Sequence, residues 1–257
     1  MWAIRSALKA GATAIELDVH CTADGHLVVC HDDMVDRTTN GHGAIASMTL
    51  EELRVLDNAY WFVPGADATP GRPADAYPLR GRAPKDKDLR IATLEEVLEE
   101  FPSVVLNLDI KQTAPDVVPY EAKLADLLRC AGRTSDVIVA SFHDSATDAF
   151  SAIAPEIATS AGTNLVTQLW RASRDGSDLP ATRHVAVQVP ARMGSMVVVD
   201  EIFVAAMHDH GLAVHVWTIN DQEQMESLVG LGVDGIITDR PSLLAKVLDR
   251  LGAAWVG

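Results

Sequence analysis

Near the start of the chain, the stretch GATAIELDVHCTADGHLVVCHDD (Gly11 to Asp33) gathers two carboxylates and a histidine. In its first half Ile15, Leu17 and Val19 alternate with Glu16 and Asp18. An extended backbone therefore sends the apolar side chains one way and both acids the other. Propensity alone does not place acids so. A turn, Ala23-Asp24-Gly25, and a short apolar run, Leu27 to Cys30, then deliver His31 and Asp32. Further on, Asp109 sits in LNLDIK, with Lys111 two residues later and on its face.

The chemistry these types allow is metal-assisted. Residues i and i+2 of a strand lie roughly 6.5–7 Å apart on one face, so Glu16 and Asp18 can converge on one ion, with Asp109 joining from an adjacent strand. Three carboxylates in a low-dielectric mouth repel one another unless a cation neutralises them. An all-oxygen donor set favours one divalent ion, Mg²⁺ or Ca²⁺, over zinc; ion pairs to Arg or Lys at strand ends are the alternative. Lys111 can bring positive charge to a phosphate oxygen, or pair with Glu16. His31 suits proton transfer, because an ordinary imidazole titrates at about 6.5. His143 and Gln188, near other strand ends, are expected to line the site. Trp217 is expected to wall it, although it would fill a core equally well.

The elements that must position these groups follow from the apolar pattern. Residues 2 to 10 read as a helix with Gly11 at its C-terminal cap, and Thr13 to Val19 as a strand. Thr49-Leu50-Glu51-Glu52 and Thr93-Leu94-Glu95-Glu96 are capping boxes that open helices. Between them Trp61 to Arg90 has no sustained period and is rich in Pro, Gly, Asp and Lys. A loop that long is usually functional, so residues 33–90 are expected to form a cap over a site. Apolar runs at Val104 to Ile110, Val137 to Phe142, Ile157 to Ser160, Val185 to Val189, Ala213 to Ile219 and Gly235 to Thr238 then alternate with helical stretches. That alternation predicts a parallel α/β sheet, and no linker divides it, so residues 1–257 read as one domain. With Thr13 to Val19 the strands number seven, whereas a closed (β/α)₈ barrel has eight. Leu27 to Cys30 is connected too closely to be a parallel neighbour. The strand missing from the count is the first.

Composition narrows the partners. At 257 residues and 48% hydrophobic the chain can bury a large core, and a formal net charge of −15 repels nucleic acid and anionic membrane surfaces. An anionic substrate would need local positive charge. Three cysteines (Cys21, Cys30, Cys130) fit a reducing compartment better than a disulfide framework. No apolar run approaches the ~18 residues of a membrane span, and Arg5 and Lys9 break any signal-peptide pattern. A cytoplasmic location without stable membrane insertion is the expectation.

Taken in order, GATAIELDVHCTADGHLVVCHDDMVDRTTNGHG, IATLEEVLEEFP, LNLDIK, VASFH, VWTIN and DGIITDRP resemble the glycerophosphodiester phosphodiesterases over essentially the whole length. The resemblance implies a TIM-type (β/α)₈ barrel of the phospholipase C-like phosphodiesterase kind, with a small inserted cap. It also implies one divalent metal ion, and hydrolysis of glycerophosphodiesters to sn-glycerol 3-phosphate and an alcohol. Glu16 and Asp18 match the family's Glu-x-Asp metal ligands. Asp109 stands where a third carboxylate, commonly Glu, completes the set; Lys111 matches a phosphate-contacting lysine and His31 a catalytic histidine that would protonate the leaving alcohol. The family pattern also opens with a strand ending in His-Arg, followed by a glutamate, and this sequence lacks that segment. It is the same strand that the count misses.

Three functions therefore compete: a phosphodiesterase whose sequence starts late, an impaired barrel that binds phosphodiester or metal without turnover, and a hydrolase of lysophospholipase D type. The open edges left by a missing strand invite pairing by a second chain or by further residues, so a homo-oligomer is one expectation.

Overall fold

The computed structural model describes residues 1–66, 68 and 70–253. Asp67 and Thr69 of the expected cap, and residues 254–257 of the expected single domain, lie outside the described residues.

The acid-apolar alternation forms strand β1 (Ala14–Cys21), preceded by helix α1 (Trp2–Lys9). β1 runs two residues beyond the Thr13 to Val19 expectation, which adds His20 to the face of Glu16 and Asp18. Gly25, at φ +84, reverses the chain where an L-residue would be strained. Strand β2 (Leu27–Val29) then returns antiparallel, with Val19 opposite Val29 and Cys21 opposite Leu27. Both capping boxes form, at the starts of α2 (Leu50–Arg54) and α3 (Leu94–Glu100).

From β3 (Val105–Ile110) onward strands and helices alternate. They are α4 (Glu121–Cys130), β4 (Val137–Ala140), α5 (Asp144–Ile153), β5 (Ala158–Ala161), α6 (Thr163–Asp175) and β6 (Ala186–Pro190). A small separate hairpin, β7 (Arg192–Met193) and β8 (Met196–Val197), interrupts the pattern. Then come α7 (Glu201–Asp209), β9 (Ala213–Trp217), α8 (Gln222–Leu231), β10 (Gly235–Ile236) and α9 (Pro241–Leu251). The sheet order is β10-β9-β6-β5-β4-β3-β1-β2, and every neighbouring pair except β1 and β2 is parallel. Seven parallel strands thus curl into a barrel-type sheet, as the count requires.

The apolar sides of the strands pack outward on the helices. Ile15, Leu17, Leu106 and Leu108 share one buried cluster with Leu124 and Leu128 of α4; Val187, Val214 and Val216 share another with Phe203, Met207 and Leu228. Truncating a buried leucine of such a layer costs about 2–5 kcal/mol. The polar sides face inward, which is why acids can occupy alternate positions of β1 at all.

Residues 34–90 are held without periodicity. Val35, Ile45, Leu50 and Leu53 cluster with Val28 of β2 and Ile91. Arg80 lies over the rings of Tyr60, Trp61 and Tyr77 at 4.2, 4.9 and 3.9 Å. Asp88 takes the Arg5 guanidinium of α1 in a fork of 2.7 and 3.0 Å. Of the expected 33–90 cap, none of the described residues lines the central cavity, and Asp33 lines a smaller pocket beside it.

Among the described residues the sheet does not close. β10 ends one side of the order, and on the other side β2 covers only Val19 to Cys21 of β1. A cavity of about 2350 Å³ opens between β10 and Ala14 to Asp18 of β1, with α1 and α9 along its outer wall.

Candidate active site

Register decides which acids meet. Glu16 stands opposite Asn107 and Asp18 opposite Asp109, so the β1 and β3 carboxylates come side by side, mid-strand on β1 and next to the C-terminal end of β3. One oxygen from each of Glu16, Asp18 and Asp109 lies within 4.8 Å of the others. Lys111 reaches back over them, its Nζ 3.1 Å from Asp18 Oδ1 and 3.4 Å from Asp109 Oδ2. Of the two roles open to Lys111, pairing with Glu16 is not the one adopted here.

The electrostatics of this cluster are unsettled by design. Burial, with the charges of Asp18 and Asp109, pushes the Glu16 carboxyl up to about 8. Burial pushes Asp109 up to about 6 although Lys111 opposes it. Burial works against the Lys111 ammonium, but Asp109 and Asp18 outweigh it and its pKa ends raised. Asp109 Oδ1 is buried with no hydrogen-bond partner. Three acids against one lysine, with an orphaned carboxylate oxygen, fit a small hard cation: oxygen donors only, converging, and short of positive charge. The residues present thus suit a divalent ion.

His31 sits on the arm beyond β2. Its side chain is 71% exposed, and its Nδ1 is 2.7 Å from Asp32 Oδ1. Arg37 grips the same carboxylate through Nε (2.6 Å) and Nη2 (3.0 Å). A second, polar pocket of about 390 Å³ adjoins the site, lined by His20, His31, Asp33, Lys111, Asp116 and His143 among others. An aromatic wall lines the large cavity. Phe142 and Trp217 meet edge to face at 5.5 Å, and Lys111 Nζ is 5.6 Å from the Phe142 ring.

An acid triad with a lysine on adjacent barrel strands, and a histidine arm after the first hairpin, can be compared with known proteins. Residues 1–243 match the glycerophosphoryl diester phosphodiesterase family. The chain belongs to this family. A glycerophosphodiester phosphodiesterase of Bacillus subtilis is 31% identical over 249 residues, covering 94% of this chain and 78% of that one. One from Caldanaerobacter subterraneus is 30% identical over 255 residues, covering 97% and 91%. The crystal structure of a glycerophosphodiester phosphodiesterase from Agrobacterium tumefaciens has a TM-score of 0.69 at 25% identity, covering 94% of this chain and 90% of that one. An Oleispira antarctica phosphodiesterase solved with sn-glycerol-3-phosphate shares the fold, with a TM-score of 0.70 at 23% identity over 96% and 90%. The TIM-type barrel expected from the sequence is thereby established.

Within this phosphodiesterase fold, Glu16, Asp18, Asp109, Lys111 and His31 all line the large cavity, as do Gln188 and Trp217. His143 faces the smaller pocket and precedes the first residue of α5. Gln188 is less free than its position suggests: its amide exchanges two hydrogen bonds of 3.0 Å with Asn107 across the barrel. Three features went unread in the sequence. His20 is 1% exposed, with Nδ1 3.3 Å from Gln112 Oε1 and Nε2 unpartnered; burial lowers its pKa. Phe142 pairs with Trp217, and Arg37 clamps Asp32. Only the last had a signal, an arginine in the turn-rich segment just after His31-Asp32. Among the described residues no helix is long and apolar enough to cross a membrane.

Proposed function

We propose that this chain hydrolyses glycerophosphodiesters to sn-glycerol 3-phosphate and an alcohol, with Glu16, Asp18 and Asp109 holding one Mg²⁺ or Ca²⁺. The observation that carries the reading is the convergence of three carboxylates under a single lysine, in a chain of this family. A bound divalent ion would supply the positive charge that polarises the phosphoryl group. Lys111 offers its ammonium to a phosphate oxygen and keeps Asp18 and Asp109 in place. A water oxygen bonds to phosphorus and loses its proton to solvent as the P–O bond to the alcohol breaks, and protonated His31 gives its Nε2 proton to the departing oxygen while Nδ1–H stays on Asp32. The pocket beyond His31 receives the departing alcohol, and the Phe142–Trp217 wall flanks the glycerol side.

One observation favours the second reading, a barrel that binds phosphodiester or cation without turnover. The sheet is open beside Glu16, which leaves that carboxylate next to an unpaired edge. Purified protein assayed on glycerophosphocholine and on lysophosphatidylcholine, with and without EDTA, separates the readings. Chelator-sensitive release of glycerol 3-phosphate from the first substrate supports the proposal. Cation binding without release supports the non-catalytic barrel, preference for the lysophospholipid supports a lysophospholipase D type, and turnover insensitive to EDTA refutes the metal assignment.

A further inference from the structure

We propose that Arg37 and Asp32 are positioning residues that fix the tautomer and direction of the His31 imidazole. The inference deepens the reading of His31 as proton donor and rests on it.

Asp32 Oδ1 is shared. It accepts from His31 Nδ1 at 2.7 Å and from Arg37 Nη2 at 3.0 Å, while Arg37 Nε closes the fork on Oδ2 at 2.6 Å. Such a planar two-point grip fixes the carboxylate plane, which a lysine could not do. Arg37 acts from a firm base although its own head group is half exposed. Val35, two residues earlier, is fully buried, and Thr39, two residues later, is 1% exposed with its hydroxyl donating to Val35 O at 2.8 Å. Ile45 N donates to Asp33 O at 2.9 Å, and Met34 bridges Ala44, closing the loop on itself. The clamp is therefore built into the loop. Arg37, more than any other group, holds the Asp32 carboxyl down to about 2. Asp32 is then an acceptor only, so the neutral imidazole must keep its hydrogen on Nδ1. A free imidazole has no such constraint. The donor is the imidazolium, which carries hydrogens on both ring nitrogens: it releases the Nε2 proton to an alcohol oxygen, and the neutral ring left behind keeps Nδ1–H on Asp32. Without the clamp, a side chain this exposed would sample several rotamers and both tautomers.

The test uses full-length, metal-free protein labelled with ¹⁵N-histidine, in which long-range ¹H–¹⁵N correlations report the tautomer of neutral His31. In the wild type the hydrogen is expected on Nδ1. In Asp32→Asn the Arg37 fork attracts the amide oxygen, turns the NH₂ toward His31 and moves the hydrogen to Nε2. Turnover of glycerophosphocholine should then fall about 10- to 100-fold in kcat with KM little changed, within what a positioned acid contributes. Arg37→Gln and Arg37→Lys should each lower kcat about 3- to 10-fold, because neither restores the fork. Dispersed spectra of each variant show that it is folded. An unchanged Nδ1–H tautomer and unchanged kcat in Asp32→Asn would overturn the proposal while leaving His31 as donor. Full activity in His31→Ala would instead overturn the reading beneath it.

Discussion

Glu16→Gln tests the electrostatic argument at its root. The Glu16 carboxyl, ordinarily near 4.5, is held up to about 8 by burial and by Asp18 and Asp109. Between those values the folded protein keeps a proton that the unfolded chain has already lost. Stability of the metal-free protein therefore falls as pH rises through that window, and the loss is complete only above it. At about 1.4 kcal/mol per pKa unit the span corresponds to about 4–5 kcal/mol. Water entering from the open edge and movement of Lys111 would absorb part of this, leaving about 2–3 kcal/mol between pH 5 and pH 9. Glutamine resembles the protonated acid and has nothing to lose. Urea denaturation in EDTA should thus show wild type and Glu16→Gln nearly equal at pH 5, and the variant more stable by about 2–3 kcal/mol at pH 9. Adding Mg²⁺ or Ca²⁺ at 100 times its Kd should return about 2.7 kcal/mol to the wild type alone. If the variant follows the wild type across pH, or gains equally from the ion, the carboxylate cluster is not a cation site and the argument fails.

Other outcomes follow from single contacts. His31→Ala should lose about 10²–10⁴ in kcat yet retain the divalent ion by elemental analysis, because His31 is not among the converging carboxylates. Lys111→Met removes the ammonium lying 3.1 and 3.4 Å from two of those acids. It should tighten the divalent ion about tenfold in calorimetry while raising KM for the phosphodiester by a similar factor. In Gly235→Ala the new Cβ would sit 2.7 Å from His215 Cδ2 inside the barrel. The displaced ring should cost about 1–3 kcal/mol in denaturant unfolding, with a smaller cost showing that His215 can swing aside.

Much of this was legible in the sequence, for physical reasons that differ by element. β1 could be read because a barrel strand with acids on its inner face and aliphatics on its outer face prints a strict period of two. The capping boxes at Thr49 and Thr93 could be read because their hydrogen bonds are local. The seven parallel strands could be read because apolar, β-branched runs alternate with helical stretches. The 61–90 segment could not be read, because Arg80 among three rings and Asp88 on Arg5 are contacts without a period. The sequence alone determined that Glu16 and Asp18 share a face and that His31 follows on a short arm. Only the tertiary structure decided that the β1–β3 register sets Asp18 beside Asp109, that Lys111 spans those two and not Glu16, and that Arg37 closes on Asp32. Each of those depends on how separate stretches of backbone are brought together, and no local spacing encodes that.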